Sequence, residues 1–336
     1  MKIAILSSIA WRTPPRKYGP WEQVASYLAE GLHARGIDVT LFATSDSITK
    51  AKLDATCAVP YAENAQVDAK VVECMHISNV MEKADQFDLI HNHFDFLPLT
   101  YSKLIRTPMV TTIHGFSSSK IKEVYRKYNG HTHYVSISNA DRDENLDYAA
   151  TVYNGINEEE FPFVAIPDDY LLYFGRIHAD KGTSEAIQIA RQAGYKLFIA
   201  GLIQDEGYFE REVKPHIDEK QVFYIGNVGT EERRKLLGKA VALLHPIKFE
   251  EPFGLSVAES MFCGTPVIAF KRGSMPELIR DGETGFLVNT VDEAVDAVGN
   301  VGKIKRADCR KWAASVFSKD KMVDGYIAVY EELLRK

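Results

Sequence analysis

The sequence predicts an α/β protein with two doubly wound, parallel-sheet domains, and three observations lead to this prediction. Short apolar runs alternate with amphipathic helical stretches, a pattern typical of parallel strands joined by right-handed crossovers. The alternation stops once along the chain and then begins again. The chain has 336 residues with a hydrophobic content of 46%, which is enough for two cores of about 150 residues each.

The apolar runs predict strands in both halves of the chain. In the first half these strands are residues 3–6, 38–43, 89–92, 109–113 and 133–137, with a helix at 21–35. In the second half they are residues 171–174, 196–200, 222–225, 241–245 and 267–270. The segment FPFVAIPDD, residues 161–169, separates the two sets. We therefore expect domains at 1–163 and 164–318, followed by a C-terminal helix at 319–336 that packs back on the first domain.

Overall charge and cysteine spacing exclude several kinds of partner. The net charge of -6 and the pI near 6.0 give no general attraction for nucleic acid. The four cysteines are scattered and form no CxxC or Cys/His pair, so we expect neither a disulfide framework nor a zinc site. The opening MKIAILSSIA is too short for a membrane span and lacks the features of a signal peptide. We expect it to be a buried first strand of a cytoplasmic protein.

The loops that follow the predicted strands are where a ligand site is expected, because open parallel sheets bind ligands beyond the carboxyl ends of their strands. After the first strand there is no GxGxxG motif, which argues against a nicotinamide-dependent dehydrogenase. Gly19 stands there, before Pro20, a residue suited to begin a helix. The Gly19 N–H can therefore meet a phosphate near the positive end of that helix. A plain hinge is the alternative.

A loop in the second half carries cations suited to a diphosphate. The stretch GRIHADKG places Arg176 and Lys181 after a predicted strand, and these residues supply a guanidinium fork and a compact ammonium. The flanking Gly175 and Gly182 permit close backbone approach. Solvated surface side chains are the alternative.

The stretch FEEPFGLSVAESMF predicts an anion-binding turn between two acids. A helix that begins near Leu255 leaves its first N–H groups for an anion at the turn. Glu259, one turn into the helix, can accept hydrogen bonds from both ribose hydroxyls of a nucleotide. Glu251, ahead of the turn, can take hydroxyls of a sugar. For either acid, a solvated or ion-paired role is the alternative.

These residues resemble the signature of a known family. Glu251 and Glu259, with PFGLSVAES between them and GTPVIAF…G…E after them, look like the family-four retaining glycosyltransferases. The resemblance also takes in VYNGI, GR…DKG, the AG at 200–201, IGNV and the closing VYEELL. It implies the GT-B fold, in which two Rossmann-like domains face a central cleft. It also implies that the second domain binds most of the nucleotide sugar and the first binds the acceptor.

The same resemblance implies roles for individual residues. Arg176 and Lys181 match the diphosphate ligands, Glu259 matches the ribose ligand, and Glu251 matches the donor-sugar ligand. The remaining matches are the backbone N–H groups of Phe253, Gly254 and Leu255 near the donor sugar, Val228 beside the base, Gly19 at the distal phosphate, and His114 near the anomeric carbon. Outside the family context, a lone loop histidine such as His114 is more often structural. Many members have a second glycine where this chain has Pro20, which has no N–H to donate.

The predicted function is transfer of a hexose from a UDP- or GDP-sugar to an acceptor hydroxyl, without a metal or another cofactor. The resemblance implies retention of the anomeric configuration. Two rivals stay open. A nucleotide-sugar 2-epimerase of the same build would need no acceptor, and a nucleotide-sugar binding protein would do no chemistry. The acceptor is left open among saccharide, lipid-linked and small-molecule hydroxyls, and the oligomeric state is open as well.

Four further motifs complete the sequence-based predictions. The loop WRTPPRKYG offers cationic and aromatic side chains to an acceptor, with a solvated loop as the alternative: Trp11, Arg12, Arg16, Lys17 and Tyr18. The DRD at 141–143 has the form of a metal-binding motif, but we expect it to start a helix whose dipole its acids complement. His91 and His93 are interpreted as cleft-lining or buried residues and not as metal ligands. The stretch KIKEVYRKY, residues 120–128, is the candidate for peripheral membrane contact.

Overall fold

The structure, a computed structural model, describes residues 1–335. The chain forms two compact units. The first comprises Met1–Gly155 together with the C-terminal helix Lys319–Leu334, and the second comprises Ile156–Ser318. The boundary predicted after residue 163 therefore lies inside the second unit.

One parallel sheet forms the centre of the first unit. Its strands are β1 (Lys2–Leu6), β2 (Asp38–Phe42), β3 (Lys52–Asp54), β4 (Leu89–Asn92), β5 (Met109–Ile113), β6 (His133–Ser136) and β7 (Tyr148–Thr151). Across the sheet their order is β3-β2-β1-β4-β5-β6-β7. In the central register, Ile5 pairs with Leu41 on one side and with His91 on the other. Every residue of β4 and β5 is buried, as expected for central strands of a sheet covered on both faces.

A second parallel sheet forms the centre of the second unit. Its strands are β8 (Tyr170–Phe174), β9 (Lys196–Ala200), β10 (Val222–Gly226), β11 (Ala242–His245), β12 (Val267–Phe270) and β13 (Gly285–Val288). Their order is β10-β9-β8-β11-β12-β13. Both sheets are doubly wound, because the chain builds outward from a central strand first to one edge and then to the other. The prediction of an α/β protein with two such domains is confirmed.

Helices lie in the connections between strands and in the part of the chain that follows β13. They are α1 (Pro20–Ala34), α2 (Ala69–Glu82), α3 (Lys122–Tyr128), α4 (Thr183–Ala193), α5 (Glu206–Tyr208), α6 (Thr230–Lys239), α7 (Leu255–Phe262), α8 (Met275–Leu278), α9 (Val291–Asn300), α10 (Arg306–Phe317) and α11 (Lys319–Leu334). A π-helical turn, Phe209–Val213, follows α5. The 3₁₀ segments are Tyr61–Glu63, Ala84–Gln86, Leu97–Leu104, Ser119–Ile121, Ala179–Lys181, Lys214–His216 and Val301–Lys303. None of the helices within residues 1–335 has the length and apolarity needed to cross a membrane.

The C-terminal helix α11 packs against α1 of the first unit. A Cβ on Gly31 of α1 would lie 2.4 Å from Val323 Cγ2 of α11, so glycine permits this close approach. Arg35, just after α1, forms ion pairs with Asp320 at 3.2 Å and Asp324 at 2.9 Å. The last helix in sequence is thus part of the first unit's core.

Three details of the sequence analysis are corrected by the structure. The segment 161–169, which separates the two predicted sets of strands, is bound along the second unit: the Val164 N–H donates to the Cys263 carbonyl, and Arg306 Nε donates to the Val164 carbonyl at 2.7 Å. Strands β3, β7 and β13 were not predicted. Of these, β3 and β7 are short and mostly exposed or half-buried. The helix expected to start at the DRD of 141–143 does not form, and turns occupy that segment.

Candidate active site

The loop after β8 presents the two cations predicted from GRIHADKG. Arg176 is half-buried and its Nη1 donates to Gln204 Oε1. Lys181 ends the 3₁₀ segment that precedes α4. Gly182 is the N-cap of α4, with φ 73°, and a Cβ there would lie 1.9 Å from the Pro246 carbonyl oxygen. A glycine at 182 therefore lets the loop after β8 pack tightly on the loop after β11.

That packing brings Lys181 onto Glu251. Lys181 Nζ lies 2.6 Å from Glu251 Oε2, with the two side chains only 12% and 11% exposed. His245, the last residue of β11, places Nε2 3.5 Å from the same oxygen. Burial alone would raise the pKa of the Glu251 carboxyl, but Lys181 and His245 outweigh that effect and lower it to about 2. Glu251 is therefore an ionised acceptor at neutral pH, held between two basic side chains.

The turn after Glu251 ends at an open helix N-terminus. Gly254 is the N-cap of α7, with φ 85°, a conformation that favours glycine. Among the described residues, the N–H groups of Leu255 and Ser256 have no hydrogen-bond acceptor. A helix N-terminus with free N–H groups attracts anions. The predicted start of this helix near Leu255 is confirmed.

A second turn fixes the position of Glu251. The Ser274 N–H donates to the Glu251 carbonyl at 2.9 Å, and Ser274 Oγ donates to the Phe253 carbonyl at 2.9 Å. Gly273 has φ 53°, and a Cβ there would lie 2.3 Å from the Glu251 nitrogen. The turn after β12 thus supports the acid and the residues that lead into α7.

Glu259 lies inside α7 and is almost fully buried. Its Oε1 lies 3.4 Å from Arg233 Nη1 of α6, and its side chain is 3% exposed. Burial raises the pKa of Glu259 to about 7, against the attraction of Arg233 and with an added contribution from Glu160. Glu259 is therefore paired with the Arg233 guanidinium in the interior of the second unit.

Val228 and Phe253 are both buried, at 6% and 2% exposure. Val228 lies between β10 and α6, at the carboxyl end of its strand. The Phe253 ring packs edge-on against Phe317 at 5.8 Å, so the ring belongs to the interior of the second unit.

In the first unit, Gly19 and Glu22 lie at the start of α1. Gly19 is the N-cap, with φ 150°, and its N–H has no acceptor within residues 1–335. Glu22 Oε1 accepts from the Trp11 N–H at 3.3 Å. Burial raises the pKa of the Glu22 carboxyl to about 7, although its own backbone, Ser8 and Trp11 hydrogen-bond to it. Glu22 was not among the predicted site residues.

His114 follows β5 and is held by two contacts. Its Nε2 lies 2.9 Å from His93 Nδ1, and its ring stacks on Trp21 with centroids 5.6 Å apart. Burial lowers the pKa of His114 to about 3, so the ring is neutral at physiological pH. The interpretation of His91 and His93 as buried residues agrees with their exposure of 0%.

The loop predicted to face an acceptor is largely tied to its own unit. Arg16 pairs with Asp46 at 2.9 Å and with Glu63 at 2.5 Å. Arg12 Nε donates to the Pro14 carbonyl. Trp11 packs edge-on against Tyr18, and Lys17 is exposed. The acceptor role of these residues stays a prediction.

Comparison with known proteins matches both halves of the chain to glycosyltransferases. Residues 21–160 match the family described as Glycosyltransferase Family 4, and residues 156–312 match the family described as Glycosyl transferases group 1.

This chain is a glycosyltransferase.

Individual relatives of this glycosyltransferase are distant. It is 24% identical over 335 residues to an uncharacterised glycosyltransferase of Methanocaldococcus jannaschii, covering 86% of this chain and 85% of the relative. It is 30% identical over 223 residues to an uncharacterised protein from the cps region of Klebsiella pneumoniae, covering 65% of this chain and 56% of that one.

Solved structures show the same GT-B fold. Sucrose-phosphate synthase of Thermosynechococcus elongatus is 19% identical with a TM-score of 0.82, covering 100% of this chain and 99% of that one. Anabaena HepE in complex with UDP-glucose is 18% identical with a TM-score of 0.74, covering 100% of both chains. The GT-B prediction is confirmed.

Within this glycosyltransferase, the structure brings together some predicted residues and leaves others as predictions. Lys181 and Glu251 are in contact, and the free start of α7 follows Glu251 by a few residues. The individual ligand roles, including those of Gly19 and His114, stay predictions. The DRD motif has another use: Asp143 pairs with Lys122 at 2.9 Å. In the described chain, no three His, Cys, Asp or Glu side chains are grouped to hold a metal ion.

Sequence reasoning missed His245, Arg233 and the Gly273–Ser274 turn. His245 could have been found, because it ends a predicted strand at the sheet edge where ligands bind. Arg233 lies on a helix among other charged residues, and nothing in its local pattern pairs it with Glu259.

Proposed function

We propose that this glycosyltransferase moves a hexose from a UDP- or GDP-sugar to an acceptor hydroxyl with retention of the anomeric configuration. The observation that carries the proposal is the convergence of Lys181, Glu251 and the free N-terminus of α7. A sugar diphosphate has an anionic part and a polyol part. This arrangement offers a cation and peptide N–H groups to the first and a carboxylate to the second.

The proposed chemical role of the site is stabilisation of the leaving group. Negative charge grows on the diphosphate as the bond to the sugar breaks. Fixed cations and N–H groups interact more strongly with that charge than with the ground state, so they lower the barrier. Arg176, Lys181 and the first N–H groups of α7 supply this stabilisation in our proposal.

Two acids are proposed to hold the hydroxyl groups of the donor. Glu251 is ionised and can accept from sugar hydroxyls while it remains bound to Lys181. Glu259 is proposed to accept from the ribose, for which ionisation of a carboxyl with pKa about 7 is required. Arg233 favours that ionised form.

We further propose that transfer needs no divalent metal. In the proposed binding mode, Lys181 and Arg176 supply the positive charge that a metal ion would otherwise bring to the diphosphate. The DRD motif lies in the first unit, where Asp143 is engaged with Lys122. The expected outcome is full activity after dialysis against EDTA, and loss of activity that Mg²⁺ restores would contradict this part of the proposal.

The experiment is a donor and acceptor panel. UDP-sugars come first, because the HepE structure contains UDP-glucose, and GDP-sugars follow. Acceptors are free sugars, sugar phosphates and lipid-linked sugars. Release of UDP or GDP gives the rate, and the NMR coupling of the product's anomeric proton gives the configuration. Inversion would contradict retention. An epimer formed from donor alone would indicate a 2-epimerase, and donor binding without turnover would indicate a binding protein.

Matched variants link the activity to the site. Lys181→Met should lower kcat by a factor on the order of a hundred, because loss of one preorganised contact costs about 2.7 to 4 kcal/mol of barrier. Lys239→Met is the control, since Lys239 is half-exposed and pairs with Asp168 on the same unit. Equal rates for the two variants would refute the assignment of Lys181.

A further inference from the structure

Three histidines lie side by side at the carboxyl ends of β4 and β5 in the first unit. His91 is inside β4, His93 follows β4, and His114 follows β5. The rings of His91 and His93 are 4.2 Å apart, and those of His93 and His114 are 5.2 Å apart. None of these residues except His114 has so far been given a role in the reaction.

The middle ring, His93, has one partnered and one unpartnered nitrogen. Its Nδ1 lies 2.9 Å from His114 Nε2. Its Nε2 is buried and has no hydrogen-bond partner. A buried polar atom without a partner costs free energy. A leucine would avoid that cost, so the presence of histidine needs a reason that involves Nδ1.

The position of the His93 ring is firmly set. Its backbone N–H donates to the Leu6 carbonyl at 2.9 Å. The His91 ring beside it is fixed at both nitrogens, by the Tyr330 hydroxyl at 2.6 Å and the Thr112 hydroxyl at 2.8 Å. Helix α11, which carries Tyr330, therefore supports His93 through His91.

The unpartnered nitrogen decides which ring donates the hydrogen bond. A neutral imidazole carries one N–H. If the proton of His93 is on Nδ1, it donates to His114, and only a lone pair is left unpaired at Nε2. If the proton is on Nε2, a buried N–H is left without an acceptor, which is the rarer defect in folded proteins. Burial lowers the pKa of both His93 and His114, so neither ring is charged.

We propose that His93 is a positioning residue that fixes the tautomer of His114, with His93 Nδ1–H donating to His114 Nε2 and the His114 proton held on Nδ1. His114 is half-buried, and its Nδ1 has no partner among residues 1–335. Trp21, stacked on the ring with an interplanar angle of 18°, opposes rotation that would exchange the two nitrogens. His114 thus presents a donor, not an acceptor, to a bound substrate.

The claim that His114 faces a substrate rests on the proposed function, but the tautomer of His114 does not. The first test therefore measures the tautomer and not enzyme activity. The protein is labelled with ¹⁵N-histidine, and NMR distinguishes protonated from unprotonated ring nitrogens. The His114 signals are assigned by their loss in His114→Gln. Protonation at Nδ1 in the wild type is expected, and protonation at Nε2 would overturn the proposal.

Two variants of His93 then test the hydrogen bond. His93→Asn keeps an N–H near the position of Nδ1, and His93→Leu removes it. We expect His93→Leu to give a mixture of His114 tautomers and to lower kcat/KM by about ten- to a hundredfold, the loss of one hydrogen bond. His93→Asn should restore the Nδ1–H tautomer and most of the activity.

The possible results separate this proposal from the proposed function. An unchanged His114 tautomer in His93→Leu would overturn the positioning role. If His93→Leu does not fold, the wild-type tautomer alone decides. If the wild type transfers no sugar, the proposed function fails while the tautomer result still stands.

Discussion

Replacing Lys181 with methionine perturbs the ion pair on which the candidate site is built. Both side chains of the pair are about nine-tenths buried, and Nζ lies 2.6 Å from Oε2. Lowering the pKa of Glu251 from 4.5 to about 2 corresponds to about 3 kcal/mol of stabilisation of the folded state. Removal of one partner of a buried pair typically costs about 3 to 5 kcal/mol, because the other charge is left uncompensated. We expect Lys181→Met to destabilise the second unit by about 3 kcal/mol at pH 7.

The assay is equilibrium unfolding in urea, followed by circular dichroism and by Trp312 fluorescence in a background with Trp11 and Trp21 replaced by phenylalanine. The control is Lys181→Met with Glu251→Gln, which removes the orphaned charge and should recover most of the loss. Glu251 adds stability that is present above pH 4.5 and is lost as the pH falls toward 2, so the wild type and Glu251→Gln should converge in acid. A single variant as stable as the wild type, or a double variant as unstable as the single, would refute this reasoning.

Three further predictions concern the residues around the pair. Glu259 has a pKa of about 7 in the folded protein, raised from 4.5. The protonated side chain therefore stabilises the fold at low pH, and this stabilisation is lost as the pH rises from 4.5 through 7. In Glu259→Gln, the free energy of unfolding in urea should depend less on pH over that range. The same variant should weaken UDP or GDP binding by about tenfold, and calorimetry showing unchanged affinity would contradict the ribose assignment. Gly273→Ala should lower the melting temperature and kcat, since its Cβ would lie 2.3 Å from the Glu251 nitrogen, whereas Gly299→Ala, in open space, should be neutral or stabilising.

Much of the fold follows from local sequence pattern. The central strands β4, β5, β9 and β12 were predicted with the bounds that the structure has, because buried parallel strands are continuous apolar runs. The edge strands β3 and β7 were missed because they are short and mostly exposed or half-buried, so neither forms a continuous apolar run.

The candidate site was only partly predictable. Lys181 and Glu251 were named from their motifs, but their direct contact depends on Gly182 packing against the Pro246 carbonyl, which no local pattern reveals. The pairing of Glu259 with Arg233 likewise depends on how two helices meet. The expected helix at 141–143 failed because the Asp143 carboxylate accepts from the Asn145 N–H, a local turn bond that competes with helix formation.

The most direct test of the central claim is a crystal structure of the protein with bound UDP or GDP. We expect the diphosphate within hydrogen-bond distance of Lys181 Nζ and the Leu255 N–H, and the ribose hydroxyls on Glu259. A nucleotide bound in the second unit away from these three groups, or bound elsewhere on the protein, would contradict it.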